Sequence, residues 1–322
     1  MNIGSRKISE DIFMLTLPMP FRLEHVNVYA VVKNGHVSLI DTGPNLPEAF
    51  PTLERLLGEI GKKVSDVAEI FVTHFHADHC GLAGTIQGIS GAAVYMEEKD
   101  YRRTRTDMEA VLGLMESFFT ANGMPAEVFD MLAKAFRMFR HATVPFTVDR
   151  FLVPGERTSI GGEPLEVIGS AGHTTGQLTY FLRQRGLLFS GDHVLPHITP
   201  NLSPDITNLG FHPLSSFIAS LESIADLPAD MVYPAHGSPF KNLKARVEEI
   251  KAHHEERKLL MLKSVSAGPK SAYEISGDIF GKDLTEFDKF LALNETYVHL
   301  VELEAESLVK CRRVNGIDLY ST

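Results

Sequence analysis

The 322-residue chain has 31 Lys and Arg against 41 Asp and Glu, a formal net charge of −10, with 44% hydrophobic and 22% charged residues. These proportions are those of an ordinary globular protein with room for one large domain and a small one. No apolar run is long enough to cross a bilayer, the acidic balance opposes a surface built to grip a nucleic-acid backbone, and the two cysteines, Cys80 and Cys311, give no disulfide framework. The first residues lack the apolar core of a secretory signal, so cytoplasmic residence without a membrane anchor is the expectation.

Strand-like runs dominate the beginning. Ile12–Leu17 stops at Pro18, and Val26–Val32 and Val37–Ile40 flank Asn34-Gly35, a strong hairpin signal. A helix is predicted from about Glu48 to Ile60, with Phe50, Leu53, Leu56, Leu57 and Ile60 on one face and Gly61 as its stop. The buried strand Glu69–Thr73 follows. Its end runs directly into His74-Phe-His76-Ala-Asp78-His79-Cys80-Gly81.

From about 97 to 145 the texture changes. A charged segment containing Arg102, Arg103 and Arg105 leads into two helical patterns, Met108–Phe119 and Val128–Phe139, unusually rich in Met and Phe. They form a helical hairpin, and the residues off its main stripe (Phe129, Phe136, Met138) suit a lid, a greasy pocket wall or a dimer face. Strand texture then returns. Leu165–Ile168 leads to Gly172-His173-Thr174, the hairpin Leu178–Leu182 with Leu187–Ser190 runs into Gly191-Asp192-His193, and a helix from about Ser215 to Ile224 precedes Met231–Ala235, which delivers His236-Gly237. Each time a buried strand ends on a metal-competent side chain, so a rigid scaffold points several such groups at one place. From 244 a long charged helix to about 264, a second helix with a Ser271…Glu274 capping pair, a third from Leu291 to Glu306, and a ribbon turning at Asn315-Gly316 have the layout of a winged helix. Its third helix, Asn294 to Glu306, reads as acidic and poorly suited to phosphates, so DNA binding is not expected and a structural or dimer-forming role is.

His74 and His76, two residues apart in an extended chain, can aim at one point, and Asp78 and His79, past the turn, at a second. Neutral imidazole with carboxylate is a ligand set for Zn²⁺ or a similar first-row dication. Cys80, next to His79, and His193, next to Asp192, read as packing groups or as groups behind the ligands rather than as catalytic ones.

His74-x-His76-x-Asp78-His79, Gly-His173-Thr, Gly-Asp192 and Ala-His236-Gly, in this order, resemble the metallo-β-lactamase superfamily over roughly residues 8 to 240. The resemblance implies a four-layer αβ/βα sandwich, here residues 1–243 with the helical insertion, followed by the winged-helix segment 244–322. It implies two divalent metals, most simply Zn²⁺ with Fe or Mn as alternatives. His74, His76 and His173 would hold one, Asp78, His79 and His236 the other, with Asp192 bridging and Asp41 behind the ligands. A hydroxide bridging the metals would be the nucleophile and Asp78 would handle its proton. The C-terminal segment is most similar to the subgroup of β-lactamase-like protein 2 and hydroxyacylglutathione-hydrolase-like proteins. The expected substrate is a small ester or thioester, with single-stranded RNA as the alternative; His197 and Asn201 are expected at the substrate rim.

Overall fold

Short polar turns between β-branched runs fold the N-terminal segment into antiparallel neighbours. The computed structural model describes residues 3–20 and 22–322; it begins with β1 (Gly4–Lys7), β2 (Ile12–Pro18), β3 (His25–Lys33) and β4 (His36–Ile40), paired in that order. Asn34 and Gly35 turn between β3 and β4 with φ of 52° and 88°, the pair of positive values that a two-residue hairpin needs. Helix α1 (Ala49–Glu59) then crosses to β5 (Val67–Phe71), which lies parallel to β4. This strand is shifted towards the N-terminus of its predicted position because the N–H of Thr73 is taken by the carboxylate of Asp41, 2.8 Å away, instead of by a neighbouring strand. Two short helices, α2 (Ala77–Cys80) and α3 (Ala83–Ser90), lead to β6 (Ala93–Met96).

The insertion contains α4 (Glu98–Thr104), α5 (Met108–Ala121) and α6 (Ala126–Met138), after which β7 (Arg150–Phe151) completes a seven-stranded sheet among the described residues. A second, five-stranded sheet has β8 (Arg157–Ile160), β9 (Glu163–Gly169), β10 (Leu178–Leu182), β11 (Leu187–Gly191) and, after α7 (Pro213–Ile224), β12 (Met231–Pro234) parallel to β11. The sequence reading passed over β1, β6 and β8, which are only four residues each, and β1 and β8 are partly polar.

Side-chain alternation sorts the core into layers. Ile12, Tyr29, Ile40 and Phe71 meet Leu165, Val167, Tyr180 and Phe189 between the two sheets. Neighbouring residues on the same strands point the other way: Leu15, Val28 and Leu39 pack on α1 and α3, and Phe181 and Leu188 pack on Phe217 and Leu221 of α7. The result is helix, sheet, sheet, helix, the four-layer αβ/βα architecture.

The chain continues through α8 (Leu243–Val265), β13 (Lys270–Ser271), α9 (Ala272–Phe280), α10 (Glu286–Ala305), β14 (Lys310–Val314) and β15 (Ile317–Ser321). Ser271 and Glu274 form the expected capping box on α9, and α10 starts earlier than predicted because Thr285 caps it through Asp288. The Met- and Phe-rich stripe of the insertion is spent on this segment. Leu112, Met115, Phe119, Phe129 and Leu132 share one core with Met261, Val265, Ile275, Leu293 and Leu300, and Phe136 sets its ring against Phe290, whereas Met138 is 78% exposed. No helix among the described residues is long and apolar enough to cross a membrane.

Phe119 is 1% exposed and lies 5.4 Å, ring to ring, from Phe290 of α10. Its replacement by Ala is expected to cost about 3–5 kcal/mol, read from the denaturant midpoint, and to make the C-terminal helices easier to proteolyse. Loss of stability with no change in proteolysis would separate the two elements.

Candidate metal centre

Five of the seven predicted ligands sit where a strand hands over to a loop, and the other two lie in the short helix that follows. His74 and His76 follow β5, and the turn into α2 carries Asp78 and His79 within that short helix. His173 leaves β9 through Gly172, whose φ of 144° and close approach to the Phe217 backbone leave no space for a Cβ. Asp192 follows β11, and His236 follows β12.

These seven side chains converge. His76 Nδ1 lies 3.0 Å from both His74 Nε2 and His173 Nε2. Asp78 Oδ2 lies 3.5 Å from His79 Nε2 and 3.3 Å from His236 Nε2. Asp192 faces both groups: Oδ1 is 3.5 Å from His79 and 3.3 Å from His236, while Oδ2 is 3.5 Å from His173. Three overlapping ligand groups result, His74–His76–His173, His74–His79–Asp192 and Asp78–His79–His236, any of which could hold a cation.

The far ring nitrogens are tied to fixed acceptors, which sets the tautomers. His79 Nδ1 donates to Asp41 Oδ2 at 2.8 Å, His173 Nδ1 to the carbonyl of Asn201 at 2.8 Å, and His236 Nδ1 to the carbonyl of His25 at 2.8 Å. His74 Nδ1 donates to the hydroxyl of Thr73 at 3.0 Å, and that hydroxyl donates onward to Asp41 at 2.9 Å. The inward nitrogen of each of these four rings is thereby left with a lone pair for a metal. Asp41 does this from φ of 59°, a left-handed conformation that carbonyl-bearing short side chains tolerate better than most.

Charge divides the imidazoles. Burial first, and then the neighbouring imidazoles, hold His74 well below the ordinary histidine value and His76 at about 3; burial also lowers His173. For His79 and His236 burial again opposes the charge, but Asp78 and Asp192 outweigh it and raise both. Burial works to raise the carboxyls of Asp78 and Asp192 too, and the facing imidazoles reverse it. Asp78 and Asp192 thus favour positive charge at this part of the centre, the place a cation would take. The fit is also visible in what lacks a partner: His79 Nε2, His236 Nε2 and Asp192 Oδ1 are buried with no hydrogen-bond partner, and all three face the common centre. Such orphaned groups are costly unless something positive sits among them.

A family model described as the metallo-beta-lactamase superfamily matches residues 22–236, two thirds of the chain. The chain belongs to the metallo-beta-lactamase superfamily. As a superfamily hydrolase it is similar over 308 residues, at 28% identity and 94% of both chains, to the probable metallo-hydrolase YqjP of Bacillus subtilis (strain 168). It is 24% identical over 91% of its length to a beta-lactamase-like protein 2 homolog of Caenorhabditis elegans, of which it covers 83%. A metallo-beta-lactamase family protein from Thermus thermophilus superposes over 98% of this chain and 99% of its own, with a TM-score of 0.85 and 30% identity. A subclass B3 metallo-beta-lactamase of Bradyrhizobium japonicum covers 79% of this chain, with a TM-score of 0.54 at 16% identity, and shares the fold.

Asn201 acts on the centre through its carbonyl, because its side-chain amide donates to the Leu291 carbonyl of α10 at 2.9 Å; His197 is exposed. Cys80 is buried, donates to the Phe75 carbonyl and has its thiol pushed up to about 12 by burial, which makes it inert packing. His193 is buried edge-on to Phe217, with its ring held near 3 by desolvation.

The sequence reading missed the groups that hold the ligand loops. Asp100 of α4, fully buried, accepts from Phe75 N–H at 3.1 Å on one ligand loop, and from Thr174 Oγ1 and Gly176 N–H, both at 2.6 Å, on another. Asn27 and Tyr29 of β3 reach across to the Pro234 carbonyl beside His236. Only a carboxylate in a charged run, not a motif, marked Asp100 in the sequence.

Asp100→Ala is expected to lower metal affinity about 10–100-fold, measured by competition with a chelator; an unchanged affinity would remove Asp100 from the clamp. Burial, stronger than the three donors, also raises its carboxyl from 3.8 to about 6. The folded state therefore holds an extra proton between those values, so this position loses stability as pH rises from 3.8 to about 6. Asp100→Asn is expected to flatten that part of the melting temperature profile.

Proposed function

We propose that this superfamily member is a dinuclear metal-dependent hydrolase of a small ester or thioester. The observation that carries the reading is Asp192, whose two oxygens face opposite imidazole groups, as a carboxylate shared by two cations must. His74, His76 and His173 would hold one ion and Asp78, His79 and His236 the other. Imidazole and carboxylate suit Zn²⁺; with no thiolate in the set, Fe and Mn suit it too. When bound, the ion pair supplies Lewis acidity and brings the pKa of water towards neutrality.

The chain's own residues supply orientation and proton handling. Asp78 has a side chain 23% exposed against 9% for Asp192, so it is the carboxylate open to an incoming water and suited to take its proton. Thr73 and Asp41 keep His74 and His79 in the tautomers that leave the inward nitrogens free. We read residues 1–243 as the hydrolase domain and 244–322 as a winged-helix segment of the β-lactamase-like protein 2 type that braces it. The loop of His197 and Asn201, with exposed Ile198, is read as the substrate rim, and half-exposed Met131 with Met138 as the face for a second copy.

A small acyl substrate is favoured over RNA because two of the three arginines in the basic run Arg102, Arg103 and Arg105 are engaged. Arg102 pairs with Glu98 at 2.7 Å, and Arg103 donates to Thr207 at 2.6 Å and to Asp205 at 3.4 Å. The net charge of −10 adds to the argument.

Acyl thioesters of graded chain length and a fluorescent RNA oligomer, each offered to the Zn²⁺-loaded protein, test the proposal. Thioester turnover is expected, abolished by chelation and restored by added metal, with the RNA left intact. Asp78→Asn is expected to lower turnover by about 10²–10⁴-fold, with elemental analysis reporting the metal content. RNA cleavage without thioester cleavage would overturn the substrate class, and metal-free protein that hydrolyses as well as the loaded form would overturn the mechanism.

A further inference from the structure

A second group of metal-competent side chains lies outside the centre described above. Glu295 and His299 are one helical turn apart on α10 and so share a face, and His254 meets them from α8. All three are buried, at 6%, 0% and 1% exposure. His254 Nδ1 is 3.0 Å from His299 Nε2, the same spacing as the imidazole pairs of the first centre. His299 Nδ1 donates to the Glu295 carbonyl at 2.6 Å, which fixes the tautomer and leaves Nε2 with its lone pair inward. Glu295 Oε2 accepts from the Leu202 N–H at 3.3 Å, and Oε1 is left 3.8 Å from His254 Nδ1 with no hydrogen-bond partner.

A hydrogen-bonded triad does not account for that oxygen. If Glu295 is ionised, a buried carboxylate oxygen lacks a donor; if it is protonated on Oε1, the proton has no acceptor within reach. A cation between the two nitrogens and Oε1 satisfies all three and leaves His254 Nε2 as the one unpartnered atom of these three side chains. Two imidazoles and a carboxylate select a first-row dication over Ca²⁺ or Mg²⁺.

We propose that His254, Glu295 and His299 form a second, structural metal site for Zn²⁺ or a similar dication, which pins α8 and α10 to the loop at Leu202. That loop carries the Asn201 carbonyl that orients His173, so the site joins the C-terminal helices to the hydrolytic centre. The proposal stands apart from the function proposed above, since it concerns residues that touch none of the first ligand set in the hydrogen-bond network.

Two measurements on the full chain, purified without added metal, decide it. An anomalous difference map collected at the zinc edge from wild-type crystals is expected to show a peak among His254 Nδ1, His299 Nε2 and Glu295 Oε1, separate from any peak near Asp192. Elemental analysis is expected to show Glu295→Gln about one equivalent below wild type, with peaks at the first centre retained. The map decides the matter whether or not the variant folds. A map with density near Asp192 and none at Glu295 would overturn the proposal and leave the hydrolytic reading intact; equal metal content in wild type and folded variant would overturn it as well, as would zinc seen there only after soaking.

Discussion

A carboxylate buried between two groups of imidazoles is the constraint around which this molecule is built. Asp192 cannot sit at the end of β11 without positive charge on both sides, and both sides are supplied from other strands. The two sheets therefore have to face each other at the ends of β5, β9, β11 and β12. Tyr29, Phe71, Tyr180 and Phe189, packed between the sheets, hold those ends in register. Layer packing and electrostatics thus impose the same geometry, and neither leaves freedom to the other.

The ring orientations add a second level. Four of the five inward nitrogens are fixed by a hydrogen bond made on the opposite side of the ring, to Asp41, Thr73, Asn201 or His25. Thr73 both accepts from His74 and donates to Asp41, so one hydroxyl couples ligands that would belong to different ions. Asp100 performs the comparable task for backbone, joining the loop after β5 to the loop after β9. A site assembled in this way is rigid before any metal arrives.

The candidate ligands could be read in the sequence because metal-competent side chains at strand ends are conspicuous, and the four layers were implied by the resemblance of those motifs to the superfamily. The groups behind them could not. Thr73, Asn27 and Asp100 are ordinary residue types whose partners across the site lie 25 to 210 positions away. The third C-terminal helix was only partly legible for a related reason. Its residues read only as acidic and poorly suited to phosphates, and nothing in them told that Asn294, Glu295, Thr296 and His299 would be buried. A helix does not reveal locally which face will be covered; here the loop at Leu202 and Ser203 supplies polar partners that turn a polar stripe inward. The Met- and Phe-rich hairpin carried the opposite ambiguity, and its apolar stripe went to the same helices.

The loop that bears His236 hangs from Asn27 and Tyr29, more than 200 residues earlier in the chain. The N-terminal sheet can form, and His74, His76, Asp78 and His79 can gather, while this anchorage still waits for its cargo. A full complement of donors exists only after position 236 of 322 has cleared the ribosome. In the proposed centre the group that needs His236 is therefore the last to be completed, after those that close with His173 and Asp192.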